Sequence, residues 1–129
     1  MTGKTGIFLA GLYGLLGVAA GAFGAHGLKS RVDAGMLEIW KTGAQYQQLH
    51  AAVLLAVAIW ALHGPHGQTT PLHSVAMTLL VVGMTIFSGT LYAMTLGGPR
   101  FLGAITPLGG LCLLGAWATI ALIGLRSAP

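Results

Sequence analysis

A chain of 129 residues holds one domain, and with 6% charged side chains and a mean hydropathy of +0.82 it lies far from the roughly 25% charged residues of a soluble protein. That balance excludes a water-soluble globular domain and marks a membrane protein, with membrane lipids as its first partners. The formal charge of +4 does not point to nucleic acid, because Lys4, Lys29, Arg31, Lys41, Arg100 and Arg126 do not cluster but flank apolar segments, as topology determinants do.

Four windows read as spans: about Thr5 to Ala25, Gly43 to Leu62, His73 to Leu96 and Phe101 to Leu125, none containing Asp, Glu, Lys or Arg. Each is near the ~20 residues that a helix rising 1.5 Å per residue needs to cross a bilayer. The runs lack the two-residue alternation of barrel strands, so the chain reads as an all-α, integral membrane four-helix bundle with antiparallel neighbours, one transmembrane domain over residues 1–129. The first run is kept as a span rather than a cleaved leader, since about 19 apolar residues exceed the 7–15 of a signal peptide.

Span one carries Gly14, Gly17, Gly21 and Gly24 at three- and four-residue spacing, which leaves one helical face nearly bare for close packing. It ends in Gly21-Ala-Phe-Gly-Ala-His26-Gly-Leu28, which leaves His26 at the rim. The charged segment from Lys29 to Lys41 follows, with Val32, Met36, Ile39 and Trp40 near helical spacing. It reads either as a short helix lying in the interface, Trp40 at headgroup depth, or as a solvated connector.

Span two opens with Gln45, Tyr46, Gln47, Gln48 and His50. Tyr46 and His50 share a face, and His50 lies about 10 Å along the helix from Gly43, inside or just under the interface. Such groups face a bundle interior or a wet cavity, because unsatisfied polar groups in hydrocarbon cost several kcal/mol. His63, His66 and His73 then invite a metal reading, but intervening Gly and Pro give no rigid face, and no carboxylate or cysteine completes a set. A polar loop is the plainer reading.

Span three holds Thr85, Gly89 and Ala93 as another small-residue row and ends in Phe87-Ser-Gly-Thr-Leu-Tyr92. In span four Pro107 removes the amide partner of the Gly103 carbonyl, with Thr106 placed to compensate. The lone Cys112 reads as a small core residue. Because a chain that exits on one side re-enters from it, His26, Tyr46, His50, Ser88, Tyr92 and Thr106 share one leaflet, and the opposite leaflet is almost featureless. Phe23-Gly-Ala and Phe87-Ser-Gly form a faint echo of two helical hairpins in parallel repeat.

Gly21-Ala-Phe-Gly-Ala-His-Gly-Leu28, Tyr46-Gln47 with His50, Phe87-Ser-Gly-Thr-Leu-Tyr92 and Thr106-Pro-Leu-Gly-Gly110, in this order, resemble the small bacterial membrane protein family known as domain of unknown function 423, to which animal mitochondrial membrane proteins are similar. The resemblance implies a four-helix inner-membrane protein without an assigned activity. It makes Gly21, Phe23, Gly24, His26, Tyr46, Gln47, His50, Ser88, Gly89, Tyr92, Thr106, Pro107 and Gly110 its signature positions here.

Lys29, Arg31, Lys41 and Arg100 in the first and third loops, against Lys4 and Arg126 at the ends, favour termini outside and the polar leaflet toward the cytoplasm. Two functions follow. One is a binding or accessory protein whose polar pocket of His26, Tyr46, Gln47, His50, Ser88, Tyr92 and Thr106 takes a lipid headgroup, quinone or partner helix. Its glycine faces, Gly89 and Gly110 included, mediate a homo-oligomer or a larger membrane complex. The alternative is a metal or haem site, proton relay or transport path built on His26 and His50. No intramembrane carboxylate supports that alternative, two histidines fill only part of a metal shell, and no catalytic residue or cofactor is specified. In the plainest reading, His26 caps span one, and His50 bonds Ser88 or Thr106 and fixes packing.

Overall fold

The computed structural model describes residues 1–64 and 69–127. It holds four helices in chain order: α1 (Gly3–Ala25), α2 (Ala34–His63), α3 (Pro71–Thr95) and α4 (Leu102–Arg126). Three starts are capped by side chains. Thr2 accepts from the Thr5 amide, Asp33 from Met36 at 2.8 Å, and Thr70 from His73, with Pro71 in the first turn, where its missing N–H costs nothing. α3 stops where Gly97 turns to φ 98°, and the Gly98 amide reaches back to the Ala93 carbonyl at 2.7 Å.

The closest packings are α3 with α4, α1 with α2, and α2 with α3, whereas α1 barely touches α3. The buried positions of α1 are all small: Gly3, Gly6, Ala10, Gly17 and Gly24. A Cβ on Gly6 would stand 2.7 Å from both Ala58 Cβ and Met77 Sδ, so that face admits no side chain. The core lies between α2, α3 and α4, where Leu54, Ala58, Met77, Leu80 and Ala116 have no accessible surface. Outside it the protein is apolar: Phe8, Leu15, Val18, Leu111 and Leu114 are all more than half exposed, as suits helices whose solvent is lipid.

α1, α3 and α4 are each long and apolar enough to cross a membrane. α2, with Gln45, Gln47, Gln48 and His50 in its sequence, does not qualify by composition, so the expectation of four such spans is met by three. α2 also begins at Ala34, not near Gly43, and runs unbroken for 30 residues. Neither reading of the charged segment, a separate interfacial helix or a solvated connector, holds beyond Asp33, because the chain from Ala34 belongs to α2. Trp40 turns inward instead, 6% exposed, its ring against Gly24, Phe23 and Tyr92 and its Nε1 donating to the Ala20 carbonyl at 2.8 Å.

Two hairpins, α1/α2 and α3/α4, are present, and at the aligned positions of the echo Gly24 packs on the Trp40 ring of α2 while Ser88 is buried and donates to the Gly43 carbonyl of α2. The end holding the first turn of α3 is not featureless either. The Met1 amine donates to Ser74 Oγ at 2.8 Å, the Gly3 amide to Thr69 Oγ1 at 3.2 Å, and His73 is buried against Trp60. His66, one of the three histidines of that loop, lies outside the described residues.

Candidate functional site

Each residue advances a helix by about 100°. Tyr46 and Gln47 therefore leave α2 on different sides, and the pocket expected as one unit is divided by the α2 and α3 pair. Two clefts result. One, of about 530 Å³, lies between α1 and α3 with Gln47, Ser88 and Tyr92 in its wall. The other, of about 610 Å³, lies among α2, α3 and α4 and is lined by Tyr46, His50, Phe87, Pro107, Gly110 and Trp117 with several leucines.

In the first cleft the polar groups are spent on one another. Gln47 Nε2 donates to the Tyr13 carbonyl at 2.9 Å, and its Oε1 accepts from the Tyr92 hydroxyl at 2.8 Å. Thr85 donates to the Val81 carbonyl, which makes Tyr13 the donor in the Tyr13–Thr85 bond. Buried Ser88 donates to the Gly43 carbonyl at 2.7 Å, binding α3 to α2. Gln48 Nε2 reaches the Gly17 carbonyl at 2.8 Å. With Trp40 on Ala20 and Gln47 on Tyr13, three α2 side chains thus hold three α1 carbonyls. A carbonyl has a second lone pair for such a bond without leaving its helix.

The second cleft is aromatic. Tyr46 stacks on Phe87 with ring centroids 4.4 Å apart and on His50 at 5.7 Å. His50 Nδ1 lies 2.7 Å from the Tyr46 carbonyl, which can only accept, so Nδ1 carries the proton and Nε2 the lone pair. Trp117 Nε1 donates to that lone pair at 3.2 Å. Both His50 nitrogens are therefore engaged, and its partners are the Tyr46 carbonyl and Trp117 rather than Ser88 or Thr106. The Tyr46 hydroxyl, in a residue 42% exposed, has no hydrogen-bond partner among the described residues.

Two of the seven expected residues line neither cleft. Thr106 meets Thr90 at 2.6 Å and donates to the Leu102 carbonyl, so it ties α3 to α4, and its hydroxyl serves Leu102 instead of Gly103. His26 ends α1 through its backbone amide, which bonds the Ala22 carbonyl at 3.1 Å, while its side chain is exposed and makes no hydrogen bond among the described residues. It lies beyond Gly24, which packs on Trp40, and His50 is about 15 Å further along α2 than Trp40. The two histidines do not form one centre. Among the described residues no three His, Cys, Asp or Glu side chains gather.

The clefts lie deeper than the rim. Tyr13, bonded to Gln47, stands about 15 Å along α1 from Gly3 and about 18 Å from Ala25, near mid-length. Tyr46 is adjacent to Gln47 and stacks on Phe87, about 12 Å along α3 from Thr95, so both clefts open below the rim and within the membrane-spanning helices.

The small residues sort likewise. A Cβ on Gly21 would meet Gln48 Nε2 at 2.8 Å, one on Gly17 Gln48 Cγ at 3.1 Å, and one on Gly24 the Trp40 ring at 2.7 Å. Gly14 and Gly89 face open space, and Gly110 has only the Phe87 ring, at 3.9 Å. The close approach of α3 and α4 belongs to Gly109, next to Gly110, and to Gly83, six residues before Gly89; a Cβ on Gly109 would stand 2.5 Å from the Phe87 amide nitrogen. Sequence reasoning also missed Tyr13, Thr85 and Trp117. A signal was present for Tyr13 and Trp117, because amphipathic aromatics belong at the ends of spans and these two stand in the middle.

The family described as "Protein of unknown function (DUF423)" matches residues 20–110. The chain is 39% identical over 125 residues to the UPF0382 membrane protein YwdK of Bacillus subtilis, covering 95% of this chain and 98% of that one. It is 39% identical over 118 residues to the UPF0382 membrane protein C1782.12c of Schizosaccharomyces pombe, with 87% and 94% covered. A UPF0382 membrane protein of Haemophilus influenzae is 36% identical over 113 residues, with 88% and 87% covered. No solved structure matches.

Proposed function

The chain belongs to the DUF423 family of membrane proteins, and on that premise we propose that it is a multi-pass protein of the cell inner membrane that binds a membrane-dissolved small molecule without transforming it. The observation that carries this reading is the 610 Å³ cleft of α2, α3 and α4. Its volume falls within the roughly 300–1,000 Å³ of small-molecule sites, and its wall is apolar and aromatic with few polar atoms, the usual composition of such sites. A proton relay or metal site would need a free imidazole nitrogen or a carboxylate. His50 offers neither nitrogen, and the windows of all four helices nearest the cleft lack Asp and Glu. In this reading the end with Lys29, Arg31, Lys41 and Arg100 faces the cytoplasm.

The test is native mass spectrometry of protein released from its own membranes in mild detergent. A bound small molecule is expected in the wild type and lost in Gly110→Leu, which fills the cleft where a Cβ meets nothing nearer than the Phe87 ring at 3.9 Å. Bare wild-type protein would refute the proposal. A second reading, assembly with another helix through α1, is favoured by Gly11 and Gly14, around which nothing lies within 4 Å. Cross-linking in native membranes that yields only monomer would remove it.

A further inference from the structure

Resting on the cleft reading above, we infer that the occupant is an uncharged ring compound bearing a carbonyl oxygen and an apolar tail, of the quinone class, stacked against the Tyr46 and Phe87 rings and held by the Tyr46 hydroxyl. Three observations select this chemistry. The first is the wall: Tyr46, Phe87 and His50 form a run of stacked rings, the surface that a flat conjugated ligand matches best. The second is the inventory of polar groups. His50 and Trp117 are satisfied by each other and by the Tyr46 carbonyl, so among the described residues of the wall the free group is the Tyr46 hydroxyl, a donor in search of an acceptor.

The third is depth. Tyr46 follows Gln45 and precedes Gln47, whose bond to Tyr13 fixes this level at mid-length of α1. A phosphate or ammonium headgroup brought there would be an uncompensated charge in hydrocarbon. An acyl chain can fill the volume yet leaves the phenol unpaired, and a helix backbone offers a carbonyl but no flat ring for the stacked wall. A neutral ring with a carbonyl oxygen meets all three conditions, and its tail leaves through the leucine side of the cleft, where Leu111 and Leu114 are exposed.

The experiment uses the full chain in phosphatidylcholine nanodiscs, titrated with a decyl-substituted 1,4-benzoquinone while tryptophan emission is read. Trp117 lines the cleft and is the reporter. Saturable quenching, distinct from the linear collisional background, is expected, and Trp117→Phe should remove it. Tyr46→Phe keeps the stack and lacks only the hydroxyl. It should weaken the apparent affinity about tenfold, the loss of one hydrogen bond in an apolar site. Saturable quenching unchanged by Tyr46→Phe overturns the hydroxyl assignment, and quenching that survives Trp117→Phe overturns the location. If the quinone gives no saturable component while native mass spectrometry still finds a molecule lost in Gly110→Leu, the ring class fails and the cleft reading stands. If both are negative, both fall. Brominated-chain phosphatidylcholine that quenches Trp117 fully and is not displaced by quinone identifies an acyl chain as the occupant and overturns the inference.

Discussion

The substitution Gly109→Ala separates what this fold needs from what its glycine count suggests. A methyl group there would stand 2.5 Å from the Phe87 nitrogen, and 2.9 Å from both the Phe87 Cα and the Gly83 carbonyl oxygen. All three are backbone atoms of α3. Ordinary carbon contacts lie at about 3.5–4.0 Å, so no rotamer change relieves the clash and the helices must part by about 1 Å. Overpacking of this kind costs about 1–3 kcal/mol. The gain in helix propensity, Ala over Gly, returns at most about 1 kcal/mol. With the full propensity gain, the net expectation is a loss of up to about 2 kcal/mol. Gly89→Ala meets nothing within 4 Å and has only the propensity term, so it should be neutral or slightly stabilising. Gly83→Ala should fall between them, because its nearest contact is the movable Leu113 side chain. Reversible unfolding in bicelles, followed by tryptophan emission, reads all three. The reasoning is refuted if Gly89→Ala and Gly109→Ala shift stability equally, or if Gly110→Ala costs more than Gly109→Ala.

The bonds of Gln47 make a second test. Gln47→Leu strands the Tyr92 hydroxyl in an apolar cleft and should cost about 1 kcal/mol, near the 0.6 kcal/mol average for side-chain bonds between membrane helices. The double variant with Tyr92→Phe should recover most of that loss, and a double variant that is simply additive in unfolding free energy would show the bond has no weight. For the histidines, His26→Ala should leave stability within about 0.5 kcal/mol, as an exposed side chain does. His50→Ala removes the acceptor of Trp117 and a buried ring, with an expected loss of about 2 kcal/mol. Elemental analysis should find no metal that depends on either residue, and a stoichiometric metal lost in His50→Ala would restore the metal reading.

Much of this molecule is legible in its letters. Charge-free windows locate three helices that meet the criterion for a span, and the three- and four-residue spacing of Gly17, Gly21 and Gly24 reads directly as the face that receives α2. What could not be read is rotation. The sequence groups Tyr46, Gln47 and His50, but which side of α2 each takes depends on where α1 and α4 lie, and no spacing rule supplies that. The same ignorance of phase puts Gly89 and Gly110 in place of Gly83 and Gly109. The start of α2 was hidden for a related reason. Two turns of amphipathic periodicity fit an interfacial helix as well as an extension of the next span, and the difference is made by Gly24, distant in sequence, which leaves room for the Trp40 ring.

Polarity along α2 then acquires a definite meaning. Helices in lipid gain nothing from burying apolar surface against one another, so association rests on close packing and hydrogen bonds. α1 supplies the packing through its glycines, and Trp40, Gln47 and Gln48 supply the bonds by holding the carbonyls of Ala20, Tyr13 and Gly17. A solute path would require such groups to face one another across water, whereas these face the backbone of a neighbour and are consumed there. Ser88, Tyr92, Thr90 and Thr106 are consumed in the same way, in bonds between helices. Among the described residues that line the aromatic cleft, subtracting the polar groups already bonded leaves the Tyr46 hydroxyl. The polar side chains of α2 and α3 are therefore mostly a clamp, and substituting His26 or His50 probes an exposed helix end or the frame, not the Tyr46 hydroxyl.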